Sequence, residues 1–444
     1  MVKVREDYIE DFDGEAAIDQ WLDKISSITE LGNIETVRQA CETSLEIEQK
    51  SVQEDRVWAK EHNSFVIGLE MAQILIELEL DQTAIIAAIL YRAVREGKLP
   101  LEQVSKKFGG ETAKLIEGVA RMAAISATHR PFKGMVLGQT QGQIDNVRKM
   151  LVTMIDDVRV VLIKLAERTC AIRAVKDANS EKRQRVAREV FDIYAPLAHR
   201  LGIGYIKWEL EDLSFRYLHT SAYKKIAKLL DERRVDRDSF VKRMTEKLEL
   251  ELENAHIRGE VAGRSKHIYS IWRKMRRKNL DFSEIYDIRA VRILVPSVQD
   301  CYSVLGVVHS LWKHIPYEFD DYIANPKENG YRSLHTAVIG PEGKVMEVQI
   351  RTREMHEEAE LGVCAHWRYK GTDVKSRSSG YEEKINWLRQ VLEWQEEVGD
   401  ASEIANQLSS DVGEDRIYVF TPDGHVVDLP NGATPVDFAY RVQY

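Results

Sequence analysis

The 444-residue chain carries ten prolines, and only Pro100 and Pro131 fall within its first 195 residues. Proline breaks helix interiors, so its scarcity leaves that long stretch open to helix. Apolar spacing fills it. Met71, Ile74, Leu75 and Leu78 recur at helical intervals, as do Val147, Met150, Leu151, Met154, Val158, Val161, Leu162 and Leu165 across residues 146–174. Such recurrence marks amphipathic helices, so the first ~200 residues are expected to be all-α. Residues 126–142, with Pro131, Gly134, Gly138 and Gly142, read as a mobile loop between helices.

From Arg258 the pattern changes. YDIRAVRILV (286–295), YRSLHTAVIG (331–340) and KVMEVQI (344–350) are short β-branched runs bounded by Pro and Gly, which predict strands. Helical patterns at 267–278, 299–314 and 352–365 lie between them, so an α/β or α+β domain is expected over about 240–395. A polar loop at 371–380 leads to a helical pattern at 381–398. After a polar linker, residues 415–440 read as a β-hairpin turning at Asp423-Gly424 and entering a helix. That last module stops at Tyr444 and reads as cut.

Composition narrows the field. The net charge of −9 argues against a generic nucleic-acid coat protein and leaves room for a local basic site. No run reaches the ~18 apolar residues of a membrane span, and the N-terminus has no signal-peptide core. Cys41, Cys170, Cys301 and Cys364 lie far apart with no CxxC. A reducing cytoplasm is therefore the expected setting.

Three constellations carry chemistry. GRSKHIYSIWRKMRRKN (263–279) holds Arg264, Lys266, Arg273, Lys274, Arg276, Arg277 and Lys278 and no acid. Its Ile268, Ile271, Trp272 and Met275 would face a core, leaving a cationic face suited to polyphosphate or nucleic acid, or simply to solvent. Asp287 and Glu347 stand in β-branched runs, with Gln349 on the face of Glu347 by period two. Acids there are costly unless paired or bound to a cation. Mg²⁺ takes one or two carboxylates and completes its shell with substrate phosphates; pairing with Arg289, Arg292 or Arg351 is the plainer alternative. ANPKENGYRSLHT (324–336) turns tightly at Pro326, Asn329 and Gly330 and presents Lys327, Tyr331 and His335. Tyr331 offers a stacking face for a base or fills a core. The acidic EFDDY (318–322) upstream reads as a solvated loop.

Taken in order, GRSKHIYSIWRKM, IYDIRAVRILV, ANPKENGYRSLHT, EVQIRTREMHEEAELGVCAHWRYK and RIYVFTPDGHVVDLP resemble the RelA/SpoT alarmone enzymes over nearly the whole chain. The resemblance implies a multidomain protein. A helical HD-type region would span 1–200, connecting helices 201–240 and a nucleotidyltransferase-like α/β synthetase domain 241–395. A linker would cover 396–413 and the start of a β-rich TGS domain 414–444. It implies Mg²⁺-dependent transfer of the β,γ-pyrophosphate of ATP to the 3′-OH of GDP or GTP, yielding ppGpp or pppGpp.

By motif, Asp287 would hold Mg²⁺, and Glu347 would complete the metal site or take the 3′-OH proton. Lys266 and Lys274 would bind the ATP phosphates, and Arg264 and Arg292 would enclose adenine. Tyr331 would stack on guanine, with Lys327, Asn329, His335 and Gln349 about the acceptor. In a regular strand over 286–295, however, Asp287 and Arg292 would point to opposite faces.

The resemblance also gives the helical region a hydrolase history, and the ligands that reaction needs are missing. The first histidine position reads Gly68, the His-Asp pair reads Tyr91-Arg92, the acidic pair that follows reads Arg95-Glu96, and the distant aspartate reads Glu167. His62 lies six residues away from the expected place and reads as an ordinary surface histidine. A synthetase-only, RelA-type member with a degenerate hydrolase region is implied, and EFDDY fits the acidic motif of that branch. Contacts with the ribosome and uncharged tRNA would belong to domains that follow the TGS domain in full-length relatives. A bifunctional synthetase/hydrolase and a ribosome- or RNA-binding module remain the alternatives.

Overall fold

The computed structural model describes residues 15–26, 33–53, 63–127, 157–232, 234–264, 266–278, 282, 285, 288–327, 329–362, 364, 416–420, 426–430 and 434. The chain divides into two compact units, residues 1–121 with 157–376 and residues 122–156 with 377–444.

The first unit opens with helices α1 (Glu15–Ser26), α2 (Ile34–Gln53), α3 (Ser64–Glu77), α4 (Gln82–Arg95), α5 (Leu101–Phe108), α6 (Gly110–Ala127, whose end enters the second unit) and α7 (Val158–Ala174). Side chains close exposed N-terminal amides of α3 and α4. Asn63 Oδ1 accepts from Phe65 N and Val66 N at 2.9 and 3.1 Å, and Asp81 accepts from Ala84 N at 2.8 Å. α7 is buried on nearly every side, including Lys164 and Glu167. The all-helical expectation holds for these residues. Of the 146–174 helical pattern the described part is α7, from Val158; residues 128–156, including most of the 126–142 loop, lie outside the described set.

The helix α8 (Ser180–Glu189) runs through a wider turn at Val190–Tyr194 into α9 (Ala195–Arg200). Pro196 has no N–H to give the regular ladder there. Gly202 (φ +73°) turns the chain into α10 (Gly204–Leu218), followed by α11 (Thr220–Glu232) and α12 (Arg234–Asn254).

The α/β part follows: β1 (Glu260–Arg264), α13 (Ile268–Lys278), β2 (Ala290–Val295), α14 (Val298–Leu311), β3 (Lys313–Asp321), β4 (Leu334–Ile339), β5 (Val345–Thr352) and α15 (Arg353–Leu361). Its five strands lie in the order β1-β2-β5-β4-β3, with β2 and β5 parallel and the other neighbours antiparallel. Period-two alternation sorts the faces. Val291, Ile293, Val295, Met346, Val348, Ile350, Leu334 and Val338 bury against α12 and α14, through Phe240, Met244, Leu248, Cys301, Val304 and Val308. The opposite face takes Arg264, Arg292, His335, Glu347, Gln349 and Arg351.

Two strands escaped the sequence reading. β1 is short and holds Gly263, and β3 holds Pro316 and EFDD. β3 is an edge strand, where proline and acids cost little. EFDDY is thus mostly the end of β3, not a free loop.

In the second unit, β6 (Arg416–Phe420) and β7 (Val426–Pro430) pair antiparallel, Arg416 opposite Pro430 and Phe420 opposite Val426. This is the hairpin expected there. Its turn, Asp423-Gly424, and the 381–398 helical pattern lie outside the described residues.

Candidate active site

The register across β2, β5 and β4 builds the site. Arg292 lies opposite Gln349, which lies opposite His335, and Glu347 is one step along the same face. Strand β2 begins only at Ala290. The parity conflict between Asp287 and Arg292 therefore disappears, because Asp287 precedes the strand. Asp287 itself lies outside the described residues.

Glu347 is the electrostatic centre. Gln349 Nε2 donates to its Oε1 at 3.0 Å, His335 Nδ1 lies 3.3 Å from Oε1, and Lys266 Nζ lies 3.7 Å from Oε2. Burial would push this carboxyl up, but His335, Lys266 and Arg264 outweigh it and hold it well below the usual carboxylate range. Lys266 is thus its ion-pair partner among the described residues, with the His335 ring beside it, rather than the strand arginines. The other nitrogen of His335, Nε2, lies 2.9 Å from the Tyr331 hydroxyl. With the ring hydrogen on Nδ1, Tyr331 donates to His335 and His335 to Glu347, linking the loop tyrosine to the strand carboxylate.

Cations crowd the rest of the face. Arg292 is pushed down to about 10 by burial and by Arg351 and Arg264 beside it. Glu360 partly compensates, 3.6 Å from Arg292 and 3.3 Å from Arg351. Arg351, only 1% exposed, also donates to His356 Nδ1 at 2.5 Å and lies 5.9 Å from the Tyr331 ring centre. Several buried polar atoms here have no hydrogen-bond partner: Arg292 Nε, Arg351 Nε, Glu347 Oε2 and Gln349 Oε1. Leaving such groups unmade is expensive, and together they mark a place for a polar ligand.

The remaining sequence candidates fall around this core. Lys274 is half-buried in the middle of α13, whose Ile268 and Ile271 pack inward as expected. Lys327 Nζ stands 4.2 Å over the Tyr322 ring and 5.7 Å from the Tyr331 ring centre. Asn329 Oδ1 accepts from Tyr331 N at 3.3 Å, while its Nδ2 turns to the helical region, 3.4 Å from His199 Nδ1. Arg264 lies 5.6 Å over the Trp208 ring. The sequence reading passed over His199, Trp208 and Asp212, because they sit among ordinary helix residues with no local motif.

The hydrolase positions hold no metal-ligand set. A Cβ on Gly68 would meet Ile89 O at 2.5 Å. Tyr91 is fully buried, and burial pushes its hydroxyl up to about 12. Arg92 pairs with Glu96 at 2.8 Å. Glu167 is held by Lys164 at 2.8 Å, Arg95 at 2.8 Å and Arg168 at 2.7 Å. No group of three or more His, Cys, Asp or Glu able to hold a metal occurs among the described residues, and His62 is outside them.

A helical region followed by a mixed five-stranded α/β domain, with its ionic groups gathered on one sheet face, is the architecture of a helical domain coupled to an α/β synthetase domain. Residues 44–204 match the HD domain, 263–374 the region found in RelA / SpoT proteins, and 417–443 the TGS domain. The chain belongs to the RelA/SpoT family. It is 50% identical over 414 residues to a GTP pyrophosphokinase of Photobacterium angustum, covering 92% of this chain and 55% of that protein. It is 51% identical over 379 residues to the GTP pyrophosphokinase of Escherichia coli K12, covering 84% and 50%. The chain thus spans about half the length of the curated relatives it matches. Among solved structures, a small alarmone synthetase of Bacillus subtilis bound to its product pppGpp is 26% identical, covering 40% of this chain and 98% of that one, with a TM-score of 0.28.

Proposed function

We propose that this chain transfers the β,γ-pyrophosphate of ATP to the 3′-OH of GDP or GTP, as a GTP pyrophosphokinase with an inactive hydrolase region, in the cytoplasm. The observation that carries the reading is one sheet face joining Glu347, His335 and Tyr331 to a surplus of cations from Lys266, Arg264, Arg292 and Arg351. A purely RNA-binding surface has no use for a buried carboxylate at the centre of its cations.

In the reaction the acceptor 3′-oxygen attacks the β-phosphorus, and the bond from that phosphorus to the bridging oxygen of AMP breaks. Lys266 and Lys274 would neutralise the phosphates, and Arg264 and Arg292 would hold the adenine end. Tyr331 would stack on guanine, with Lys327, Asn329, His335 and Gln349 around the acceptor. Glu347 would receive the acceptor proton or help hold a metal. Glu347 Oε2 and Gln349 Oε1, which lack a hydrogen-bond partner, are hard donors that fit Mg²⁺. Glu347, with Asp287 by motif, would hold the ion, which supplies charge neutralisation for the transferring group.

The test is chromatography of products from ATP, GDP and Mg²⁺, with Glu347→Gln and Asp287→Asn alongside. Product from the unmodified chain is expected, with a loss of several orders of magnitude in either variant because positioning and charge stabilisation dominate such transfers. Folded variants that keep near-normal synthesis refute the assignment.

A further inference from the structure

The α10 helix belongs to the helical region by sequence order, yet one of its faces reaches the site. Trp208 lies beneath the Arg264 guanidinium, 5.6 Å away, and stacks on the His267 ring at 5.1 Å and 25°. One turn further on, Asp212 Oδ1 accepts from Tyr269 N at 2.8 Å and Oδ2 from Ile268 N at 3.3 Å. These amides open the basic helix α13. The residue just before it is His267, not Ser, Thr, Asp or Asn. Asp212, 8% exposed, therefore caps α13 from a different helix, and its charge also complements the positive end of the α13 dipole.

The rest of α10 is fixed from the other side. Arg173 Nη2 of α7 donates to Glu209 at 2.7 Å, and Tyr205 donates to Ile74 O at 3.3 Å. At the start of α10, a Cβ on Gly204 would sit 2.5 Å from Ala359 O, so helix and α/β part meet backbone to backbone.

We infer that Trp208 and Asp212 are positioning residues for the ATP half of the site. Trp208 fixes the plane of Arg264, and Asp212 fixes the start of α13, and with it Lys266 and Lys274. This rests on the proposed function, and it assigns completion of the ATP site to a helix outside the α/β part.

Steady-state kinetics with ATP and GDP varied in turn tests it. Cation–π contacts are worth enough that Trp208→Leu is expected to raise KM for ATP by roughly three- to tenfold. KM for GDP should stay within about twofold. Trp208→Phe, which keeps a ring, should restore most of the loss. In an Arg264→Ala background, Trp208→Leu should add almost nothing, since its target is gone. Asp212→Ala should likewise raise KM for ATP, and Asp212→Asn, still a capping residue, should not. Equal rises in both KM values, a Phe variant as poor as Leu, or full additivity with Arg264→Ala overturns the inference. Should Trp208→Leu not fold, the Asp212 pair decides alone. No product from the unmodified chain overturns the functional reading, whereas a normal KM for ATP in an active Trp208→Leu overturns only this inference.

Discussion

Replacing Gly68 with alanine sets two effects against each other. Helix propensity favours Ala over Gly inside a helix by about 1 kcal/mol. Space opposes it, because the new Cβ would stand 2.5 Å from Ile89 O, 3.1 Å from Ile89 C and 3.2 Å from Ile89 Cα. All three atoms are backbone of α4, and its Ile85, Ala88, Ile89 and Leu90 are fully buried, so nothing local can swing aside. Relief requires α3 and α4 to part, and overpacking of this kind costs about 1–3 kcal/mol. With three backbone atoms in the way the cost falls in the upper half of that range, so the steric effect wins by about 1–2 kcal/mol, and Tm by circular dichroism should fall by roughly 2–8 °C. Gly68→His should fall further. It should also give no Mn²⁺-dependent release of pyrophosphate from ppGpp, since Arg92 keeps a fixed positive charge at the site. At least Tyr91→His and Arg92→Asp would have to accompany it, and Glu167 would still be held by three cations. A Gly68→Ala protein as stable as its parent refutes the packing argument. Hydrolysis of ppGpp by the unmodified chain refutes the loss of the site.

Glu167→Gln would strand the buried Lys164 and leave Arg168 with Glu189 alone, and breaking a buried ion network by removing one partner costs about 3–5 kcal/mol. Burial opposes the charge of Glu167, but Arg168 and Lys164 hold its folded pKa well below the unfolded value. The lost stability should therefore be full above about pH 4.5 and shrink as pH falls below that, as pH-dependent melts will show; a gap that widens in acid refutes this. For the acceptor, GDP should be used at least as well as GTP in competition kinetics. Asp321 is occupied with Ile323 N, Ala324 N and Tyr302, while Asp320 lies opposite His335 on the site face. Asp320→Asn should therefore shift use towards GTP, and a clear GTP preference in the unmodified chain overturns the argument.

The elements legible in the sequence were those whose apolar period matched their burial. β4 and β5 lie inside the sheet and carry alternating runs, and α3 and α7 are buried deeply enough to show their spacing. β1 and β3 lie at the two edges, where glycine, proline and acids are tolerated and the alternation fades. The start of β2 was read four residues early, at 286, and Ile288 within that run is apolar for another reason: it packs on the α13 cluster rather than pairing in the sheet. In the site, Glu347 and Gln349 declared themselves by period two. Trp208 and Asp212 could not, since a tertiary cap and a ring beneath a distant arginine leave no trace in local spacing.

Two shifts on the site face share a contributor. Burial lowers Arg292 first, and Arg351 and Arg264 beside it take it down to about 10, while His335, Lys266 and Arg264 hold Glu347 low against its own burial. A carboxylate so stabilised is a weak base, far from the near-neutral pKa that suits proton transfer. On the proposed reading, a bound polyphosphate changes both terms. Its charge relieves the crowding of Arg264, Arg292 and Arg351, and it competes with Glu347 for Lys266, now 3.7 Å away. On that reading a carboxylate held so low suits the metal-holding role better than proton transfer.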